Sequence, residues 1–198
     1  MVKKLLLLAV LALALPLAAF ADSSIDIGNQ GGTLTGGAGG LSLSGSILKT
    51  VGSAEGSNLG SLTFSTGAFI TGNAQNGGTL AAGGSFTIVG NGTNGVPNGV
   101  IFSGTFTSMP DSPITWQLTT LANGTHNYTL TGGLVSPNGT VGATTQLTVN
   151  TGKGFFNGSV ALSSGDTNLT VPEPGTLSLF GTGLIGLAGV IRRKLNLV

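Results

Sequence analysis

Seven Asn-Gly pairs, at Asn76, Asn91, Asn94, Asn98, Asn123, Asn138 and Asn157, cut the middle of this 198-residue chain into short lengths. Asn-Gly supplies the positive φ values that tight hairpin turns need, so this punctuation directs the chain toward antiparallel strands. The segments between the pairs agree. Ile114, Trp116 and Leu118 alternate with Thr115, Gln117 and Thr119, the two-residue period of a strand with one apolar face. The same rhythm runs through 126–131, 145–150 and 158–163, while 85–89 and 99–107 carry the β-branched and aromatic residues that strands favour. No amphipathic helical period occurs there. The expected fold is all-β, an antiparallel β-sandwich or barrel, with 114–134 as its clearest hairpin turning at Asn123-Gly124. A β-helix is the alternative, although no fixed repeat period runs from 31 to 170.

The two ends have a different character. Lys3 and Lys4 precede an apolar run over 5–17, and Ala19-Phe20-Ala21 offers a small-x-small cleavage site, so 1–21 reads as a signal peptide with a helical apolar segment. Signal peptidase would then leave Asp22 as the first residue. Residues 22–60, with Gly31-Gly32, Gly36-Gly37 and Gly39-Gly40, read as a Gly-rich lead-in or a pair of edge strands. Residues 61–171 are the expected sandwich, and 172–198 form a separate tail.

Composition limits what the middle can do. Only 7% of the chain is charged, against about 25% in ordinary globular proteins. Between the ends the acids are Asp22, Asp26, Glu55, Asp111 and Asp166, and the bases are Lys49 and Lys153. A basic stripe for phosphates is absent, so nucleic acid is not an expected partner. There is no cysteine, which excludes disulfides, thiolate metal sites and thiol nucleophiles.

The tail reads VPEPGTLSLFGTGLIGLAGVIRRKLNLV from Val171. Pro172 and Pro174 fix φ and lack amide donors, which holds the stretch around Glu173 extended and accessible. Residues 177–191 carry no charge, and Arg192, Arg193 and Lys194 follow at once, the order of a short transmembrane helix with a cytoplasmic basic stop. Fifteen helical residues span only about 22 Å of a hydrocarbon core of roughly 30 Å, so the anchor is marginal. Gly183, Gly186 and Gly189 place small residues along one ridge, either for close helix approach or simply to shorten and soften the segment.

Val171, Pro172, Glu173, Pro174 and Gly175, the Gly/Leu/Ala run and the basic cluster together resemble the PEP-CTERM sorting signal of exported Gram-negative bacterial proteins. The resemblance covers the last 28 residues; Leu195 to Val198 extend past the usual stop. It implies recognition by a membrane-embedded exosortase, cleavage near 172–174, and release or transfer to the cell surface or an extracellular polysaccharide matrix. The expected route is Sec export and an inner-membrane intermediate, with a transient or lasting membrane association.

Candidate chemistry in the middle is sparse. His126 is the only histidine and follows a turn, so a structural role at the surface or at a strand end is favoured over catalysis. No Gly-x-Ser-x-Gly elbow, His-Glu-x-x-His or phosphate loop is present. Asp166-Thr167-Asn168 could offer calcium oxygen ligands but reads better as a polar turn. Trp116 shares its face with Ile114 and Leu118 and is expected in the core rather than on a sugar. Phe155-Phe156 is the better interaction patch, since neighbouring strand residues face opposite ways, although two packed sheets would bury both, which is the reading favoured. Six Asn-x-Ser/Thr sequons, at Asn91, Asn123, Asn127, Asn138, Asn157 and Asn168, follow from turn composition. No cofactor or metal is expected. The functional expectation is a non-enzymatic structural or adhesive surface or matrix protein, with a carbohydrate-binding module next and a glycan hydrolase last.

Overall fold

The structure, a computed structural model, describes residues 23–108, 113–137 and 142–171. The expected signal helix and the expected transmembrane helix at 177–191 lie outside these residues. Among the described residues there is no helix long and apolar enough to cross a membrane.

Among the described residues fourteen strands form one continuous sheet. They are β1 (Ser23–Gln30), β2 (Thr33–Gly37), β3 (Gly40–Val51), β4 (Ala54–Glu55), β5 (Gly60–Ser65), β6 (Phe69–Asn73), β7 (Gly77–Leu80), β8 (Gly83–Asn91), β9 (Asn98–Thr107), β10 (Ile114–Thr120), β11 (His126–Val135), β12 (Gly142–Asn150), β13 (Ser159–Ala161) and β14 (Ser164–Val171). Eight of them close a ring in the order β11, β12, β14, β1, β3, β5, β8, β9 and back to β11. The fold is therefore an antiparallel barrel with extra strands, and the β-helix alternative is set aside. The expected hairpin forms as read: Trp116 faces Leu130, Thr120 faces His126, and Asn123-Gly124 makes the turn with Gly124 at φ 79°.

Residues 22–60 are more than a lead-in or an edge. They supply β1 to β4, and both β1 and β3 belong to the closed ring. What hides this in the sequence is a pair of colinear strand partners. Along one edge of β3, β2 covers Gly40–Ser44 and β1 covers Ile47–Val51, with Gly31-Gly32 as the joint. Both glycines have positive φ, at 69° and 79°. Opposite them Gly45, at φ 70°, is the extra residue of a bulge. That bulge shifts the phase of β3, so Leu41 and Leu43 face inward before it and Ser46 and Leu48 after it, while Ile47 points out. A strict two-residue alternation would have placed Ile47 inside.

The same device recurs on β11. Its second part, Gly133–Val135, pairs with β9, and its first part, His126–Thr131, pairs with β10. Gly132 sits at the fork, where a Cβ would lie 3.0 Å from the Phe106 ring. Beyond each fork an extra group of strands leaves the ring: β13 on β2, and β7 then β6 on β10.

The core carries two aromatic groups. Phe64, Phe86, Phe102 and Phe106 join β5, β8 and β9, with Phe86 and Phe106 edge to face at 5.7 Å and Phe64 and Phe86 stacked at 6.0 Å. Trp116, Tyr128 and Phe156 fill the forked end, with Trp116 stacked on Tyr128 at 5.1 Å and Phe156 edge-on to Trp116 at 5.9 Å. Tyr128 and Trp116 keep their polar atoms paired: the hydroxyl donates to the Gln75 carbonyl at 2.6 Å, and the indole N–H donates to the Ala74 carbonyl at 2.8 Å. Trp116 is thus a core residue, 1% exposed, as its strand face implies.

The Gly31-Gly32 joint can be tested directly. A Cβ on Gly32 would lie 2.5 Å from both the Ser44 carbonyl oxygen and the Ser46 nitrogen, whereas one on Gly31 meets nothing within 4 Å. Gly31→Ala should cost only the left-handed backbone penalty, about 1–2 kcal/mol. Gly32→Ala adds that clash and should cost more than Gly31→Ala in urea unfolding; equal losses would mean the joint is not tight.

Candidate functional site

The first and last strands of the barrel are hydrogen-bonded neighbours. Alternation around the ring makes them antiparallel, so the start of β1 lies beside the end of β14. Ser23 and Val171 therefore sit at one pole. Val171 is also the first residue of the expected sorting motif; Pro172, Glu173, Pro174, Gly175, the basic residues Arg192, Arg193 and Lys194, and the leader residues Ala19 and Ala21 lie outside the described residues.

The seam between β1 and β14 carries the one place where two carboxyl groups meet among the described residues. The Asp26 carboxyl hydrogen-bonds that of Asp166, and this contact, with burial and the like charge of Asp26 behind it, raises the Asp166 carboxyl above its ordinary range; the Thr167 backbone pulls weakly the other way. Asp166-Thr167-Asn168 is not the polar turn expected. It lies within β14, where Thr167 points inward and its hydroxyl meets that of Thr145 at 2.9 Å. Among the described residues no group of three His, Cys, Asp or Glu side chains comes together. Two carboxyl groups from neighbouring strands do not make a calcium cage.

Close to the seam, and inside the barrel, the Asn29 side-chain amide donates to the Ser46 hydroxyl at 2.7 Å, and that hydroxyl donates to the Gln30 carbonyl at 3.2 Å. Both side chains are buried, and the Asn29 oxygen Oδ1 accepts no hydrogen bond. This pair braces the point where β1 bends into β2.

The opposite pole is built by the connection from β12 to β13. Asn150 Oδ1 accepts the Gly152 N–H at 2.8 Å, and the Thr151 hydroxyl donates to the Gly154 carbonyl at 2.6 Å. The backbone N–H of His126 donates to the Gly152 carbonyl at 2.7 Å. So braced, the loop drives Phe156 into the barrel, 2% exposed, where its N–H donates to the Tyr128 hydroxyl at 3.0 Å. Phe155 points the other way. It is 49% exposed, and one face of its ring lies on His126 at 4.3 Å and 21°.

The expectation that both phenylalanines are core is thus corrected for Phe155. They lie in an irregular loop, not in a strand between two sheets, and only the Phe156 ring enters the space beside Trp116 and Tyr128. His126 lies at a strand end, one of the two placements expected for it, but is buried rather than at the surface, 8% exposed, with Nδ1 3.3 Å from the Gly154 carbonyl. No hydroxyl or carboxylate hydrogen-bonds to its ring among the described residues.

A third feature was not legible in the sequence. On the outer wall, Ile47, Ser61, Val89 and Val100 stand side by side on β3, β5, β8 and β9. The small Ser61 leaves an open recess of about 310 Å³ over Gly60 and Gly90. Asn58 and Asn91 rim it: Asn58 Oδ1 accepts the Gly60 N–H, Asn91 Nδ2 donates to the Asn58 carbonyl, and Asn91 Oδ1 accepts from Thr93.

Residues 170–194 match the PEP-CTERM protein-sorting motif, a span that takes in the last two residues of β14. A chain with this signal is exported, is processed at the membrane by an exosortase and passes to the cell surface. No curated protein and no solved structure matches the chain.

Two outcomes follow from this geometry. Because the folded pKa of Asp166 is raised, the folded state holds its proton better than the unfolded one. Stability from this group is present below the ordinary carboxylate pKa and lost as pH rises through the raised one. Asp166→Asn should therefore melt above wild type at neutral pH, with the gap closing under acid; a gap independent of pH excludes the carboxyl pair as its source. Phe156→Ala should cost about 3–5 kcal/mol, and Phe155→Ala under about 1 kcal/mol. Comparable losses in denaturant unfolding would contradict the loop's one-in, one-out arrangement.

Proposed function

We propose that this chain is a non-enzymatic structural or adhesive component of the bacterial surface or extracellular matrix. It is exported by the Sec route, trimmed by signal peptidase after Ala21, held at the inner membrane by its C-terminal segment and then cut by exosortase near Pro172, Glu173 and Pro174. The observation that carries this reading is the sorting motif matched over 170–194, which begins where the barrel's last strand ends. Cleavage just after Val171 leaves every barrel strand on the released side, so the processed product keeps a complete ring.

The barrel's own chemistry supports a binding or scaffolding role over catalysis. The described acids are few, and the pair that does meet, Asp26 and Asp166, lies on the outer seam rather than in a cleft. Glycosidases instead hold two carboxyls about 5–9.5 Å apart across a bound sugar. A second reading, a carbohydrate-binding module, draws support from the half-exposed Phe155 ring.

The test is the intact mass and C-terminal peptide of the protein recovered from the surface and medium of its native host. The expected product starts at Asp22 and ends within 171–175. Glu173→Ala should leave a full-length chain in the membrane fraction. Recovery of wild-type chain still ending at Val198, in membranes alone, would overturn processing and make the tail a lasting anchor.

A further inference from the structure

We propose that Phe155 and Lys153 form a binding site for an anionic saccharide at the pole of the barrel opposite the chain ends. The inference rests on the reading of the chain as a surface or matrix component and names the partner class that such a component would hold.

The position comes from strand register. Gly142 pairs with Thr170 at one end of the β12–β14 ladder, and Thr148 pairs with Ser164 at the other. Val171 leaves the barrel at the first end; the loop carrying Lys153 and Phe155 follows Asn150 at the second. Seven residues of strand separate the two levels along β14, roughly 24 Å of extended chain. The loop is consequently presented away from the point at which the chain continues into its sorting tail.

The loop is also fixed before any ligand arrives. Its hydrogen bonds to Asn150, Thr151 and His126 hold the backbone, and the buried Phe156 pins it next to the exposed ring. His126 covers the back of Phe155, so the half that is exposed includes the opposite face of the ring. A rigid aromatic face with negative π density suits the C–H face of a pyranose, whose hydrogens carry partial positive charge.

Charge supplies the second element. Lys49 is engaged, donating to the Ser57 carbonyl at 2.6 Å. Lys153 is exposed and, among the described residues, makes no hydrogen bond or ion pair. It stands two positions from Phe155, a separation of at most about 7 Å between Cα atoms, comparable to the width of one sugar ring. An ammonium beside a stacking face fits a uronate, with the carboxylate on Lys153 and the ring on Phe155. One exposed ion pair is weak, so strong retention at the surface comes from many copies meeting a repeating polymer.

The experiment is affinity electrophoresis of the full chain in neutral detergent, through gels containing polygalacturonate or uncharged dextran, with thermal unfolding as a fold check. Wild type should be retarded by polygalacturonate and not by dextran, and added salt should weaken the effect. Phe155→Ala should weaken retardation by about tenfold, whereas Phe155→Tyr, which keeps a ring, should retain it. Lys153→Gln should abolish the preference for the charged polymer. The exposed Ile70→Ala on β6 serves as a control and should behave as wild type. The proposal is overturned by absence of retardation in polygalacturonate, by equal retardation in dextran, or by folded Phe155→Ala that migrates as wild type. None of these results alters the termini measured on host material, so failure here leaves the sorting assignment standing.

Discussion

Ring closure by the first and last strands is the constraint on which the rest of this structure depends. An open sheet presents a row of unpaired amides and carbonyls, and proteins usually guard such edges with lysines, prolines or bulges. This chain has few charges to spend on guarding, with Lys49 and Lys153 the only bases between its ends. Pairing β14 with β1 removes the main edges altogether. Among the outer strands left with a free edge, β6 carries a register irregularity between Phe69 and Thr71 and a positive φ at Gly72, both of which disfavour regular pairing with another strand, while β4 and β13 are only two and three residues long.

Closure has a kinetic side as well. The ladder that seals the barrel joins residues near position 25 to residues near 168, so no local hairpin can complete it, and such long-range pairing is intrinsically slow. The last strand in the sequence among the described residues is the one that finishes the ring, and it runs straight into the matched sorting motif.

The two poles divide the labour. At one, the start of β1 and the end of β14 lie side by side where the chain enters and leaves. At the other, the forks at Gly31-Gly32 and Gly132 release extra strands, and Phe156 fills the space between them against Trp116 and Tyr128, with Gly36 kept bare beneath its ring. Filling that end with one phenylalanine forces its neighbour outward. The exposed Phe155 is thus a by-product of core packing that can also act as a surface for a partner.

The sequence by itself determined the strand period, the hairpin at 114–134, the core position of Trp116 and the sorting motif, because each is written in nearest neighbours: alternation, an Asn-Gly turn, or a contiguous tail. It could not show that 22–60 contribute ring strands, since two colinear pieces share one edge of β3 and the bulge at Gly45 breaks the alternation that would have revealed them. It placed Asp166-Thr167-Asn168 in a turn because polar residues look alike in turns and on outward strand faces; only pairing with β12 and β1 makes it strand. Nor could it choose between Phe155 and Phe156, which are chemically identical. That choice belongs to tertiary structure, because the space beside Trp116 and Tyr128 takes in the Phe156 ring and exists only after strands distant in sequence have closed around it.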